Sequence, residues 1–262
     1  MNLAKALEIA SATHTGMVRS HNEDAISSDG EVGLAVLADG MGGYNAGEVA
    51  SGMATAFIKS ELGRWLAEAS ETATDTDVRR AMDICVDNAN RAIFNAANSN
   101  PQYAGMGTTL VAAVFTNEGV EWVSVGDSPL LLFRRGEIAL LNEDHSLAPE
   151  LDRLAALGRI TPEQAKTDPR RHMLRSAVTG DELDLVDVSR RPLVLEDGDY
   201  IILASDGVQT LEMTEIQRIV SAYADDGAES VANALIRAVE AIRDPHQDNT
   251  TILAVRPLPV PA

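Results

Sequence analysis

The stretch Gly33-Leu34-Ala35-Val36-Leu37-Ala38-Asp39-Gly40-Met41-Gly42-Gly43 decides how the chain is read. Small and apolar residues run unbroken into a carboxylate, and the carboxylate runs into glycine. An apolar run of this length, closed by turn residues, is the pattern of a strand buried on both faces. The same order returns in Tyr200-Ile201-Ile202-Leu203-Ala204-Ser205-Asp206-Gly207. Asp248-Asn249 stands just ahead of another apolar run, and Asn22-Glu23-Asp24 ahead of a short one. Asp24, Asp39, Asp206 and Asp248 therefore sit at the edges of expected strands and can meet only if those strands converge. A single aspartate beside a strand end is ordinary turn chemistry. The repetition carries the reading.

Working outward, periodicity predicts strands over 6–14 and 31–38, then helices over about 46–69 and 77–97. Strands at 108–115 and 120–125 form a hairpin around Thr116-Asn117-Glu118-Gly119, and 130–134 with 138–141 another around Arg135-Gly136-Glu137. A helical insertion over about 148–166 precedes Asp168-Pro169-Arg170-Arg171-His172. Strands at 183–189 and 200–204, helices at 213–224 and 228–242, and a strand at 250–255 complete the chain before a Pro-rich tail, 257–262. This order does not match regular βαβ alternation. It predicts an α+β fold, a four-layer α/β/β/α sandwich of two antiparallel sheets flanked by helix pairs, in one domain over 1–256.

Composition narrows the function. The 262 residues are 45% hydrophobic and 23% charged, enough to bury a core. No apolar stretch approaches the roughly 18 residues of a membrane span. The start of the chain has neither the basic nor the apolar region of a signal peptide. The single cysteine, Cys85, lies in a helical pattern and reads as a buried structural thiol, so a reducing cytoplasm is the expected location. A net charge of −19 without a basic tract excludes a nucleic-acid binder. That charge also repels an anionic substrate unless cations or local arginines reverse the field at the site.

Clustered carboxylates suit a hard divalent cation, because Mg²⁺ and Mn²⁺ prefer oxygen ligands. Gly40 would let its own carbonyl approach such an ion closely. Two ions roughly 3.5–4 Å apart can share a water, lower its pKa towards neutrality, and direct the hydroxide in line at a phosphorus. No serine stands in a nucleophile elbow and no Cys-His pair is apparent, so covalent catalysis has little support. Arg19, just before Asn22-Glu23-Asp24, offers a guanidinium fork that matches two phosphate oxygens. His145 reads equally as a neighbour of the site or as a structural hydrogen-bonding residue. Gly105-Met106-Gly107-Thr108-Thr109 and Val125-Gly126-Asp127-Ser128 read first as turn and pairing features, with Asp127 a further ligand candidate because it too ends an apolar strand.

In their order, these motifs resemble the metal-dependent protein phosphatases of the protein phosphatase 2C family, in their bacterial, catalytic-domain-only form. The resemblance spans about Ile9 to Val255 and adds Arg19-Ser20-His21-Asn22-Glu23-Asp24 and Asp248-Asn249-Thr250 to the segments above. It implies hydrolysis of phosphoserine and phosphothreonine in proteins by attack of a hydroxide bridging two Mn²⁺ or Mg²⁺ ions. Asp39 would bridge the ions and Gly40 bind through its carbonyl. Asp206 and Asp248 would hold the first ion, Asp24 would reach the second through water, and Arg19 would grip the phosphate. A third, weaker ion would be held by Asp127 with Asp206. Residues 148–172 correspond to the flap that contributes to substrate choice, and a cognate Ser/Thr kinase and a monomeric enzyme are expected. Two positions depart from the family pattern. Met41 replaces the histidine that animal members often carry, which leaves a metal-bound water as the expected proton donor. Pro129 replaces the arginine that usually follows Gly-Asp-Ser. The alternatives are a phosphatase-like module that binds phosphoproteins without cleaving them, and a metallohydrolase of small phosphoesters or nucleotides. The retained acids speak against the first, and the 4% aromatic content, with no base-stacking platform, against the second.

Overall fold

A computed structural model describes residues 6–43, 46–69 and 73–258. Strands β1 (Leu7–His14), β11 (Thr250–Pro257), β10 (Tyr200–Ala204), β7 (Leu130–Arg134) and β8 (Glu137–Leu140) form one antiparallel sheet in that order. The second sheet runs β2 (Asp24–Asp29), β3 (Leu34–Met41), β5 (Leu110–Thr116), β6 (Gly119–Val125) and β9 (Asp187–Val188), with β4 (Gly107–Thr108) also paired to β3. Helices α1 (Ala46–Glu68) and α2 (Asp75–Ser99) cover the second sheet. Helices α5 (Met213–Tyr223) and α6 (Ala228–Ile242) cover the first. Two short helices, α3 (Ala148–Ala156) and α4 (Pro162–Thr167), make up the insertion.

The alternation of side chains along the central strands explains the four layers. Leu34, Val36 and Ala38 face the α1/α2 core, while Ala35 and Leu37 enter the core between the sheets. Strand β10 divides likewise: Tyr200, Ile202 and Ala204 meet α5 and α6, and Ile201 and Leu203 meet the opposite sheet. A period of two that is apolar on both faces has to be covered on both faces.

Four of the sequence-based strand boundaries need correction. Strand β3 begins at Leu34 rather than 31 and continues through Met41, because β4 pairs with Gly40 and Met41. The acid motif thus lies inside the strand. The expected strand 108–115 breaks at Thr109, whose amide donates to the Asp39 carbonyl at 2.8 Å. Only Asp187–Val188 of the expected strand 183–189 pairs, because Ser176 Oγ occupies both backbone groups of Leu185 (2.8 and 3.2 Å). The final strand runs two residues past Val255 into the expected tail, and Leu258 donates to the Ala6 carbonyl at 2.7 Å. The last part of that tail, 259–262, lies outside the described residues. Among the described residues no helix is long and apolar enough to cross a membrane.

Candidate metal centre

The sandwich gathers the acids that sequence leaves far apart. Asp24 and Asp39 are direct cross-strand partners in the β2–β3 ladder. The Asp39 backbone is fixed from β4 and β5: its carbonyl accepts from Thr108 Oγ1 (3.0 Å) and the Thr109 amide (2.8 Å), and its amide donates to Thr109 Oγ1 (3.0 Å). Thr109 Oγ1 also pairs with Ser128 Oγ at 2.7 Å, which ties the segment after Asp127 to the same point. The glycine-rich motif around 105–109 and the Gly126-Asp127-Ser128 turn are therefore structural supports of Asp39.

Asp24 stitches the two sheets together. Its Oδ2 accepts from Ser205 Oγ (2.8 Å), at the end of β10, and from Thr251 Oγ1 (2.7 Å), in β11. Its Oδ1 is buried and has no hydrogen-bond partner. Asp248 lies at the mouth of β11, where Arg19 Nε and Nη2 fork onto its two oxygens at 3.0 and 3.1 Å. Arg19 Nη1 donates to Glu23 Oε2 at 2.7 Å, so all three guanidinium nitrogens are engaged by acids.

Electrostatics confirms the convergence. Burial first, and then repulsion from Asp24, Asp206, Asp127 and Asp248, holds the Asp39 carboxyl well above the ordinary range. Asp24 is pushed up to about 6 by burial, against the pull of the Thr251 and Ser205 hydroxyls. Burial, with repulsion from Asp206 and Asp144, pushes Asp127 up to about 7, and burial with the Asp248 charge raises Asp206. Among the described residues no three His, Cys, Asp or Glu side chains already form a group that could hold a metal ion. The donor set nevertheless fits a hard cation. It is all oxygen, burial and then neighbouring charge disfavour the anions of Asp24, Asp39, Asp127 and Asp206, and Asp24 Oδ1 is buried without a hydrogen-bond partner.

The expected site residues Asp24, Asp39, Asp127, Asp206, Asp248 and Arg19 thus come together, and Gly40 sits beneath them. A Cβ on Gly40 would lie 2.1 Å from the Gly47 carbonyl oxygen, so only glycine allows β3 this close to α1. Sequence reading passed over Glu23, buried under Arg19, and Asn249. Asn249 Oδ1 accepts from the Glu23 amide at 2.8 Å and its Nδ2 donates to the Thr15 carbonyl at 2.6 Å. Glu23 sits within the Asn22-Glu23-Asp24 cluster, where a carboxylate four residues after Arg19 was the available signal. His145 is buried, and its Nδ1 accepts from the Gly126 amide at 3.1 Å, a structural role. Pro129 lets its carbonyl accept the Ala204 amide at 3.0 Å, prolonging the β7–β10 ladder. Cys85 is buried in the α1/α2 core, and burial pushes its thiol up to about 11, which leaves it inert at neutral pH.

The chain is 32% identical over 247 residues to the serine/threonine protein phosphatase PstP of Mycobacterium tuberculosis, covering 94% of this chain and 44% of that protein. It therefore spans less than half the length of that relative. The crystal structure of the serine/threonine phosphatase Stp1 from Staphylococcus aureus superposes with a TM-score of 0.79 at 30% identity, over 99% of this chain and 98% of that one. The catalytic domain of PstP solved in complex with two manganese ions superposes with a TM-score of 0.75 at 28% identity, over 97% and 99% of the two chains. Residues 13–240 match the model of the protein phosphatase 2C family. The family match over most of the chain, the sequence identity and the shared fold place the chain in the protein phosphatase 2C family, alongside these bacterial serine/threonine phosphatases.

Proposed function

We propose that the chain is a metal-dependent protein serine/threonine phosphatase that hydrolyses phosphoserine and phosphothreonine side chains. The observation that carries this reading is the convergence of Asp24, Asp39, Asp127 and Asp206, each held above its ordinary range first of all by burial, beside Asp248 and its arginine fork. Two divalent ions, Mn²⁺ or Mg²⁺, would be held by Asp39, the Gly40 carbonyl, Asp206, Asp248 and Asp24. Asp127 and Asp206 would offer a weaker third position. The chemistry supplied there when ions are bound is activation of a water for attack on phosphorus and screening of charge on the phosphoryl oxygens. The relative solved with two manganese ions supports this assignment.

The chain's own residues do the rest. Ser205 and Thr251 leave Asp24 one free oxygen, and Thr108 and Thr109 fix the direction of Asp39. Arg19 releases part of its fork to take the phosphate, a bidentate match that restores the hydrogen bonds it gives up. Residues 148–172, stapled by Arg171 Nη1 and Nη2 on Asp152 at 2.8 and 3.0 Å, serve as the flap against which the substrate chain lies. Substrates are phosphorylated proteins, made by a cognate Ser/Thr kinase. The test is turnover of a phosphothreonine peptide: a chelator should abolish it and Mn²⁺ restore it. Turnover that survives chelation refutes the reading.

A further inference from the structure

Gln247 stands between the loops that carry the acids and is 5% exposed. Its Nε2 faces three acceptors: the Gly207 carbonyl at 3.0 Å, the Asp248 carbonyl at 3.2 Å and Thr250 Oγ1 at 2.9 Å. Its Oε1 accepts from Thr210 Oγ1 at 2.6 Å, and this fixes which way the amide points. Turned over, the amide would set its oxygen against two carbonyl oxygens. The Gln247 main-chain carbonyl accepts from the amides of Met17 (2.7 Å) and Val18 (3.2 Å), the two residues before Arg19. One residue therefore grips the segment after Asp206, the segment of Asp248 and the loop of Arg19.

These segments lie beyond the ends of the ladders, where no strand partner fixes their spacing. Asp248 repels Asp206, while the Arg19 fork on Asp248 is the attraction between these segments. The space around the junction is also closed. A Cβ on Gly16 would lie 2.4 Å from the Gln247 carbonyl oxygen, and one on Gly207 2.2 Å from that of Asn249. Asparagine is a methylene too short to span these groups, and glutamate would face two carbonyls with oxygens.

We propose that Gln247 is a positioning residue for the metal centre, its carboxamide setting the spacing of Asp206, Asp248 and Arg19 and thereby the affinity for divalent cations. It touches neither ion nor substrate, and the inference rests on the functional reading above. The experiment is calorimetric titration of the whole chain with Mn²⁺, at a temperature where every protein compared is folded in chelator. A purely structural loss then leaves the affinity unchanged. Gln247→Met keeps the volume and deletes the hydrogen bonds; its Mn²⁺ affinity should fall about tenfold, the scale seen when support behind a metal ligand is lost. Thr210→Val leaves the buried Oε1 without its donor, which loosens the amide against its acceptors, and should weaken binding about threefold. The double variant should be no weaker than Gln247→Met, because Thr210 acts only through the amide. Wild-type affinity in Gln247→Met, or strictly additive losses, overturns the proposal. If Gln247→Met does not fold, Thr210→Val decides alone, and wild-type affinity there overturns it. A wild-type chain that binds no Mn²⁺ overturns the functional reading itself, an outcome the wild-type titration separates from the others.

Discussion

Raising the pH should weaken the metal-free fold, and Asp127→Asn should remove part of that weakness. Burial, with the charges of Asp206 and Asp144, pushes Asp127 from its ordinary 3.8 up to about 7. Between those values the folded protein keeps a proton that the unfolded chain releases. The stability tied to that proton is complete below pH 3.8 and is lost as pH rises through about 7. At 1.36 kcal/mol per unit, the full gap is worth roughly 4 kcal/mol, of which about 2–3 kcal/mol falls between about pH 5 and pH 8. Asp24, pushed up to about 6 by burial, acts in the same direction. His145 opposes them. Burial lowers its pKa, so its contribution is lost as pH falls through the histidine range. Asparagine cannot ionise, which isolates the Asp127 share. Urea unfolding in chelator at about pH 5 and about pH 8 measures it. The advantage of Asp127→Asn over wild type should grow by about 2–3 kcal/mol between the two, and saturating Mn²⁺ should shrink it. An advantage independent of pH would refute the argument that a buried, repelled carboxyl stands at this position.

Asp39→Asn should fold as wild type yet lose on the order of a hundredfold or more in kcat on a phosphothreonine peptide, because a shared ligand loses its charge. Gly40→Ala should be among the most damaging single-methyl changes. The added carbon would sit 2.1 Å from a Gly47 backbone oxygen where ordinary contact starts at 3.4 Å, so roughly 1.3 Å must be found between β3 and α1. A loss of about 3 kcal/mol, read by denaturation in chelator, is expected. Arg19→Ala should raise KM for a phosphopeptide about tenfold while kcat changes less, since a phosphate fork binds ground and transition states alike. A kcat loss with KM unchanged would move Arg19 from binding to chemistry.

Much of the fold was legible because its central strands are buried on both faces. Runs such as 34–38 and 200–204 leave no polar residue to be misread, and each ends in the Asp-Gly pair that the site uses. Helix α6 was legible to the residue from its apolar spacing. The start of α2 was misplaced by two residues although its signal was present: Thr74 and Asp77 make a capping box, with the Asp77 amide donating to Thr74 Oγ1 at 3.3 Å. The supporting residues had no such signal. Ser205 meets Asp24 across 181 residues, and Asn249 meets Glu23 across 226. A hydroxyl or amide contributes one or two directed bonds with no periodicity and no composition bias, so only the folded chain reveals which ones are used. Asp127 was legible as an acid after an apolar strand, but its burial follows from the His145 and Thr109 contacts around Gly126 and Ser128.

The position of the acids is a property of the core between the sheets. Asp24 and Asp39 belong to one sheet, and Asp206 and Asp248 stand where β10 and β11 of the other begin or end. The gap between the pairs is set by Ala35, Leu37, Val111 and Ala113 facing Ile201, Leu203, Leu253 and Val255. Alanines at 35 and 113 let the sheets approach far enough for Ser205 and Thr251 to reach Asp24. Apolar burial, non-directional and large, thus does work against charge repulsion that no carboxylate would do unaided. A cluster assembled in this way is destabilising in the bare protein, and it keeps one buried oxygen, Asp24 Oδ1, without a partner. On the proposed reading a hard cation would relieve both penalties at once, and the unfavourable electrostatics of the metal-free fold would then be the stored part of its affinity for metal.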